Sequence, residues 1–163
     1  MSIAAAGPAE LPYACTLEVR DACLCLHVQR AARALARRFD EAFRPLDLTN
    51  GQFSLLMSLN RPEPPSMGSV ASLLAMDRTT LTAALKPLVR RRLVAVAVGR
   101  KDRRSRLLRI TPAGRALLAR AFPVWRQTHA ELEKEIPQPA DLRAALLALA
   151  APGASTRAVI ATT

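Results

Sequence analysis

Residues 77–111 of this 163-residue chain read D-R-T-T-L-T-A-A-L-K-P-L-V-R-R-R-L-V-A-V-A-V-G-R-K-D-R-R-S-R-L-L-R-I-T. Eleven lysines and arginines but only one acid, Asp102, lie between residues 78 and 109, so this segment carries +10 of the chain's net charge of +11. Because the rest of the chain is almost neutral, the positive charge is a local feature. Such a concentration indicates a surface that binds a polyanion, and nucleic acid is the leading candidate.

The first half of this segment has the pattern of a helix with a polar N-terminus. Leu81, Leu85, Leu88 and Val89 recur at helical spacing, and Asp77 can cap the first free N–H groups. Hydroxyls and cations at a helix N-terminus can reach phosphates and base edges, and the helix dipole favours an anion there. An ordinary solvated helix surface would have the same composition. The residues that we expect to contact DNA from this helix are Arg78, Thr79, Thr80, Thr82 and Lys86.

The second half predicts a β-hairpin with a charged tip. An apolar, β-branched run over 93–98 ends at Gly99, a second run over 106–110 ends at a Thr-Pro pair, and the residues between them are too polar to be buried. A helix followed by such a hairpin is typical of a winged helix, whose tip reaches a minor groove where focused negative potential suits arginine. The tip residues that we expect to contact DNA are Lys101, Asp102, Arg103, Arg104 and Ser105.

The remaining pattern is helical and predicts a mainly α fold with a small β-hairpin wing. Apolar periodicity and proline positions predict further helices over residues 17–46, 49–59, 67–74, 112–136 and 140–150. Ser66 is the expected cap of the helix over 67–74, which forms a helix-turn-helix with the basic helix after it. Pro87 and Pro123 predict bends in their helices.

The helices at the two ends carry more apolar surface than one small fold can cover, so we expect a homodimer. A two-fold dimer would place two reading helices about one DNA turn (~34–36 Å) apart on an inverted repeat. The expected organisation is a frayed tail over 1–14, a helical dimerisation region over 15–47 and 112–150, a winged helix-turn-helix DNA-binding lobe over 48–111, and a C-terminal tail over 151–163.

Four motifs resemble the signature of the MarR (multiple antibiotic resistance regulator) family of dimeric winged helix-turn-helix transcription factors. They are D-R-T-T-L-T at 77–82, L-V-R-R-R-L-V at 88–94, D-R-R-S at 102–105 and L-R-I-T-P-A-G at 108–114. The resemblance extends from about residue 17 to about residue 150. It implies that Arg104 enters the minor groove and that Asp102 holds this arginine and its loop. Ala75 and Arg92 stand where the family usually has glycine, and each would be strained if its backbone were left-handed.

The resemblance also implies an effector, often a small aromatic or phenolic molecule, bound between the dimerisation helices and the DNA-binding lobe. An aromatic wall with polar tips could be formed by His27, Phe53, Trp125 and His129, although each of them is also an ordinary core or surface residue type. We expect no cofactor and no metal, because Cys23 and His27 lie one turn apart without a third ligand at suitable spacing.

The three cysteines lie near the N-terminus, and an odd number in a chain of cytosolic type argues against a structural disulfide. On one continuous helix Cys23 and Cys25 would face different sides. Cys15, Cys23 and Cys25 are interpreted either as small buried apolar side chains or as redox sensors. The organic-hydroperoxide regulators of the resembled family have a reactive cysteine in this region, but the tyrosine that such sites use downstream is missing here.

These observations predict a sequence-specific, DNA-binding transcriptional regulator. We expect a repressor that binds an inverted-repeat operator as a dimer and is released by a small ligand or an oxidant. The alternative is an architectural DNA-binding protein of low specificity. An enzyme is disfavoured because there is no Cys-x-x-Cys, no phosphate loop and no acid/base pair at useful spacing. Without a leader peptide or a ~20-residue apolar run, a cytoplasmic location is expected.

Overall fold

The computed structural model describes residues 11–99 and 106–150, which form seven α-helices, one 3₁₀ turn and a two-stranded antiparallel sheet. The elements are α1 Tyr13–Ala22, α2 Leu24–Phe43, the 3₁₀ turn Arg44–Leu46, α3 Asn50–Ser58, α4 Met67–Leu73, α5 Arg78–Arg90, β1 Val94–Val98, β2 Arg106–Ile110, α6 Pro112–Lys134 and α7 Pro139–Ala150. The predicted mainly α fold with a hairpin wing is therefore confirmed. Two compact units are distinguished, Met1–Arg38 and Phe39–Thr163.

The first unit contains α1 and most of α2, and the single helix predicted over 17–46 is wrong at one position. Cys23 has an extended backbone (ψ 105°) that ends α1. Its N–H donates to Val19 O at 3.0 Å, while its carbonyl accepts from His27 N at 3.1 Å, so one residue closes one helix and begins the next. Neither glycine nor proline occurs near this break. The hydrophobic pattern therefore gave no sign of it.

The core of the second unit lies where α5 and the hairpin pack against α3 and α6. Its largest fully buried side chains include Phe43, Leu56, Leu81, Leu88 and Leu108. Each such side chain stabilises the fold by about 1.5–3 kcal/mol relative to exposure. The predicted stripe of α5 is confirmed at Leu81, Leu85 and Leu88, whereas Val89 is 39% exposed. The stripe thus fixes one side of α5 and leaves the opposite side free.

Side-chain caps begin α3 and α4, and the cap at Ser66 is the one that the sequence predicts. Thr49 and Gln52 form a reciprocal capping box at α3, with both hydrogen bonds at 3.2 Å. The Ser66 hydroxyl accepts from Ser69 N at 3.1 Å at the start of α4. These bonds satisfy N–H groups that have no partner inside the helix.

The hairpin is joined to the rest of the lobe at its base. β1 and β2 pair from Val94↔Ile110 to Val98↔Arg106, and Leu108 N donates to Pro65 O at 2.9 Å. Thr111 closes the base, because its N–H donates to Leu93 O at 3.0 Å and its hydroxyl to Arg92 O at 2.8 Å. The wing strands and the start of α6 therefore share one hydrogen-bonded corner.

Gly114 allows this corner to close. The Thr111 hydroxyl accepts from Gly114 N at 3.0 Å, which caps α6 and brings its first turn against Leu93. A Cβ on Gly114 would lie 2.3 Å from Leu93 O and 2.8 Å from Ile110 Cγ1. The last glycine of the L-R-I-T-P-A-G motif is thus required by close backbone approach rather than by an unusual φ.

Within residues 11–99 and 106–150, three residues other than glycine adopt left-handed backbone conformations: Asp47 (φ 49°), Ala75 (φ 50°) and Arg92 (φ 57°). The strain that the sequence predicts at Ala75 and Arg92 is therefore present, at about 1–2 kcal/mol for each residue. Ala75 lies in the turn between α4 and α5, and Arg92 follows the end of α5. α5 and α6 continue through Pro87 and Pro123 respectively. No helix in the described ranges is long and apolar enough to cross a membrane.

Candidate nucleic-acid interface

The N-terminus of α5 is held by Asp77 and Thr80. Asp77 Oδ1 accepts from Thr80 N at 2.8 Å, and Asp77 Oδ2 accepts from the Thr80 hydroxyl at 2.6 Å. The side-chain hydrogen bond from Thr80 is the main reason why the pKa of Asp77 lies below its ordinary value. The predicted cap is therefore confirmed, and Thr80 is part of it.

The other polar residues at this end of α5 are exposed over the buried stripe. Thr82 donates its hydroxyl to Arg78 O at 2.7 Å, whereas Thr79 makes no side-chain hydrogen bond within the described residues. A Cβ added to Gly68 would lie 3.9 Å from Arg78 Nη2, so the guanidinium of Arg78 lies beside the first turn of α4. The structure thus brings together four of the predicted residues, Arg78, Thr79, Thr80 and Thr82, and Lys86 is exposed further along α5.

The C-terminal end of α5 is joined to the turn before α3 by Arg91. Its Nη1 donates to Asp47 O at 2.6 Å, and its Nη2 lies 3.3 Å from Asp47 Oδ2. Of the seven described basic residues between 78 and 109, Arg91 is the only one in an ion pair. Arg91 therefore links the end of α5 to this turn, and the other six cations have no ion-pair partner within the described residues. No local feature of the sequence distinguishes Arg91 from the other cations.

The wing tip residues Lys101, Asp102, Arg103, Arg104 and Ser105 lie outside the described part of the chain. The structure does define the strands that lead to the tip and return from it, since Val98 pairs with Arg106. The contacts that we expect from Arg104 and Asp102 stay predictions.

Three of the four effector candidates lie together in an aromatic stack. Trp125 contacts Phe53 at a centroid distance of 6.3 Å and His129 at 4.9 Å, and it also stacks on Phe122. Phe53 is buried and stacks on Phe43 at 4.8 Å, so it serves as core. His27 is exposed in the first unit, where its Nε2 lies 3.2 Å from Asp21 O.

The cysteines are more exposed than buried apolar side chains would be. Cys25 is exposed, and Cys15 and Cys23 are half-buried, so the interpretation as buried apolar residues is wrong for the single chain. The expectation that Cys23 and Cys25 face different sides of one helix also loses its basis, because Cys23 lies at the break between α1 and α2. All three are free thiols.

Comparison with known proteins agrees with this geometry. Residues 48–114 match the winged helix DNA-binding domain family. The DNA complex of the M. tuberculosis transcriptional regulator MosR is 36% identical over 78% of this chain and 93% of that chain, with a TM-score of 0.73. The chain belongs to the MarR family. No curated protein sequence matches it significantly.

Two other MarR-family structures have the same fold. The transcriptional repressor CouR, bound to a 23-mer DNA duplex, is 30% identical over 86% of this chain and 96% of that chain, with a TM-score of 0.66. BpsR of Bordetella bronchiseptica, whose DNA binding is regulated by 6-hydroxynicotinic acid, is 26% identical over 78% of this chain and 90% of that chain, with a TM-score of 0.66. This MarR-family chain is accordingly a DNA-binding transcriptional regulator.

Proposed function

We propose that this MarR-family protein binds an inverted-repeat operator as a homodimer and acts as a repressor that a small ligand or an oxidant releases. The observation that carries the proposal is the exposed N-terminus of α5, where Arg78 and three threonines stand over a buried leucine stripe. A helix fixed on one side and polar on the other can enter a major groove without loss of the core. The DNA-bound structures of MosR and CouR support this mode of binding.

We assign different tasks to the two ends of the reading surface. Arg78 and Thr79 supply base or phosphate contacts from α5, and Thr80 and Thr82 stand beside them. Lys86 and the wing residues Lys101, Arg103 and Arg104 supply charge. Asp102 holds Arg104 and its loop, and Ser105 is a further DNA contact of the tip. Cationic contacts to phosphate set affinity and its salt dependence, whereas contacts to base edges set operator choice.

Exposed apolar side chains at both ends of the chain support the homodimer. Tyr13, Val19 and Leu24 are 72%, 58% and 68% exposed in the first unit. In the second unit α7 has no buried residue, and its Leu147 and Leu149 are 72% and 61% exposed. Isolated helices of this length are marginal in water, so a partner that covers these faces would account for their sequence.

Release by a ligand or an oxidant has separate supports. Regulation of BpsR by 6-hydroxynicotinic acid supports a small aromatic effector, and the half-buried Trp125 and His129 remain candidates for its wall. The exposed thiol of Cys25, next to the backbone break at Cys23, supports an oxidant. A mild organic peroxide should release the wild type from DNA but not the Cys23→Ser and Cys25→Ser variants. Unchanged DNA binding by the oxidised wild type would exclude the oxidant route.

The decisive test is fluorescence anisotropy on duplexes from the DNA upstream of the coding region, at several salt concentrations. We expect Arg104→Ala to weaken binding about tenfold or more, because a charged contact to DNA is lost, while the exposed Arg126→Ala on α6 is the matched control. Equal binding by wild type and Arg104→Ala would refute the wing assignment. Equal affinity for all duplexes would favour the architectural alternative. Separately, a monomeric size in solution at micromolar concentration would exclude the dimer.

A further inference from the structure

The side of β1 that faces away from β2 has no strand beside it in the part of the chain that the structure describes. The opposite edge of the hairpin is covered, because Ser66 forms a bridge to Leu107 and Leu108 N donates to Pro65 O at 2.9 Å. A strand that pairs on one side only presents a row of backbone donors and acceptors without partners. We call the free side of β1 the open edge.

The register of the hairpin shows which backbone groups face the open edge. The N–H of Leu108 points away from β1, as its bond to the loop before α4 shows. Leu108 pairs with Val96, and both members of such an antiparallel pair direct their N–H and C=O groups away from each other. Every second residue repeats this pattern, so the backbone groups of Val96 and Val98 face the open edge, whereas those of Ala95 and Ala97 face β2. The side chains of the two valines are 46% and 49% exposed, so this part of the edge is accessible.

β1 lacks the features that protect a free strand edge from pairing. Its sequence, V-A-V-A-V, contains no charged residue and no proline, and its register with β2 runs without a bulge. β2, whose outer edge is covered, has two arginines among its five residues. Charged side chains, prolines and bulges are common means by which proteins keep an open edge from pairing. The open edge can therefore accept a further strand, and its β-branched valines favour one.

Positive charge surrounds the open edge and determines which kind of strand it favours. Arg92 precedes β1, and Arg106 and Arg109 lie on β2; all three are exposed. None of them is in an ion pair within residues 11–99 and 106–150, and no acid occurs over 78–99 or 106–110. A second copy of β1 would bring a second set of cations, whereas an acidic strand would neutralise the first set.

One face of the hairpin gives carboxylates a route to arginine. Neighbouring strands lie about 4.8 Å apart, so a strand on the open edge would lie roughly 9.6 Å from β2. Ala95 stands between the open edge and Arg109, and its small, exposed side chain leaves the space above the sheet open. A glutamate beside Ala95 can therefore reach the guanidinium of Arg109, a group that binds carboxylates strongly. On the other face, Val96 and Val98 offer apolar contact to β-branched side chains.

We propose that the open edge of β1 binds an extended acidic peptide segment of another protein as an added antiparallel strand. In that segment β-branched residues alternate with glutamate or aspartate. The β-branched side chains lie beside Val96 and Val98, and the carboxylates lie on the face of Ala95 and Arg109. Main-chain hydrogen bonds supply the affinity, and the alternation of side chains supplies the specificity. Binding does not depend on the proposed function, so it is measured without DNA.

A heptapeptide, E-V-E-V-E-V-E with an N-terminal fluorescein, tests the main-chain hydrogen bonds by fluorescence anisotropy with the full-length protein. Opposite residues of an antiparallel pair lie on the same face, so the valine N–H groups of the peptide point to β1 and its glutamate N–H groups point to solvent. N-methylation of the central valine should weaken binding about tenfold or more, whereas N-methylation of the next glutamate should leave it nearly unchanged. Equal affinity of the two methylated peptides would overturn the proposal, as would the absence of binding by the unmethylated peptide.

Charge is tested with the same peptide and with its lysine analogue, K-V-K-V-K-V-K, which should not bind. Arg109→Ala should weaken the acidic peptide roughly threefold, because one exposed ion pair is lost, and rising salt should weaken it further. Arg120→Ala, which removes an exposed arginine from α6, is the control of equal charge. Equal losses in Arg109→Ala and Arg120→Ala would place the peptide elsewhere and overturn the proposal, and tight binding of the lysine analogue would do the same.

Amide hydrogen exchange followed by NMR locates the added strand. In the free protein the amide of Val96 should exchange rapidly and that of Ala97 slowly, because only Ala97 donates to β2. Saturating peptide should slow exchange at Val96 by about tenfold or more and leave Ala97 unchanged. Unchanged exchange at Val96 would refute the site, and this measurement needs no variant.

Val96→Pro removes a donor from the open edge without removing a bond to β2, and proline is tolerated at such edge positions. The variant should lose peptide binding about tenfold or more, while Val96→Thr, which keeps the backbone donor and the β-branch, should bind nearly as wild type. Equal peptide affinity of Val96→Pro and wild type would overturn the proposal. Should wild type without peptide form larger assemblies than Val96→Pro at the same concentration, the open edge pairs with a second copy of the chain, and the peptide site is refuted.

Discussion

Replacement of Gly114 by alanine tests whether the corner between the wing and α6 depends on close backbone approach. The added Cβ would lie 2.3 Å from Leu93 O and 2.8 Å from Ile110 Cγ1. Carbon–oxygen contacts in proteins are normally about 3.3 Å or longer, so α6 or the start of β1 must move by about 1 Å. Leu93 O is backbone and accepts from Thr111 N at 3.0 Å, and at 3.1 Å it shares with Arg92 O the single proton of the Thr111 hydroxyl, so that movement weakens both interactions.

The size of the effect follows from these contacts. Overpacking of a closed site costs about 1–3 kcal/mol, and each weakened hydrogen bond adds up to about 1 kcal/mol. Alanine in a helix regains about 0.5–1 kcal/mol relative to glycine. We expect Gly114→Ala to lower the free energy of unfolding by about 3 kcal/mol. For a chain of this length that corresponds to a Tm lower by roughly 6–12 °C.

Urea unfolding followed by circular dichroism at 222 nm, at one fixed protein concentration, measures this difference. Gly51→Ala is the matched control, because Gly51 lies in the first turn of α3 and a Cβ there meets nothing within 4 Å. The control should be more stable than wild type by roughly 0.5–1 kcal/mol. A Gly114→Ala protein as stable as Gly51→Ala would refute the steric explanation of the glycine in the wing motif.

Three more outcomes are expected from the second unit. Ala75→Gly and Arg92→Gly should each raise the free energy of unfolding, measured in urea, by about 1 kcal/mol because they relieve left-handed backbones. The control Ala83→Gly, on the exposed side of α5, should lower it. Unchanged stability in both Ala75→Gly and Arg92→Gly would contradict the assigned strain. The folded-state pKa of Asp77 is depressed below 3.8, so the stability that its charged form contributes is present above that pH and is lost as pH falls through the folded pKa. Asp77→Asn, which keeps a capping side chain, should therefore lose less unfolding free energy than wild type as the pH falls below about 4. Parallel pH dependence of the two proteins would argue against this role of the Asp77 charge. Thr79→Val should change the operator preferred in a binding selection with little change in stability. Thr80→Val should also lower the Tm, because Asp77 loses its hydroxyl partner. If Thr79→Val selects the same operator as wild type, Thr79 does not belong to the reading surface.

Much of the winged lobe could be predicted because its determinants are local in sequence. A cap and the residue that donates to it lie three positions apart at Thr49, Ser66, Asp77 and Thr111. The leucine stripe of α5 and the strand runs likewise reveal themselves within a dozen residues. The fold class and the positions of these elements follow from such short-range patterns.

The features that the sequence could not reveal depend on contacts between residues far apart in the chain, or on backbone conformations that no glycine or proline marks. Arg91 and Asp47 are 44 residues apart, so nothing local distinguished Arg91 from the cations beside it. Arg61 and Arg115 line the same cavity although they lie far apart in the sequence. The break at Cys23 contains no helix-breaking residue, and Phe53 could be identified as core only from the rings that cover it.

The hydroxyl protons of Thr80 and Thr82 are both committed inside the helix, one to a carboxylate and one to a carbonyl. Towards a base, these two hydroxyl oxygens can therefore only accept a hydrogen bond, and the base groups that donate one are amino groups. In the major groove those are N6 of adenine and N4 of cytosine, whereas O4 of thymine and O6 and N7 of guanine offer no proton. Thr79, with its hydroxyl free to rotate, can pair with either kind of edge. The operator should therefore present adenine or cytosine opposite Thr80 and Thr82 and tolerate variation opposite Thr79.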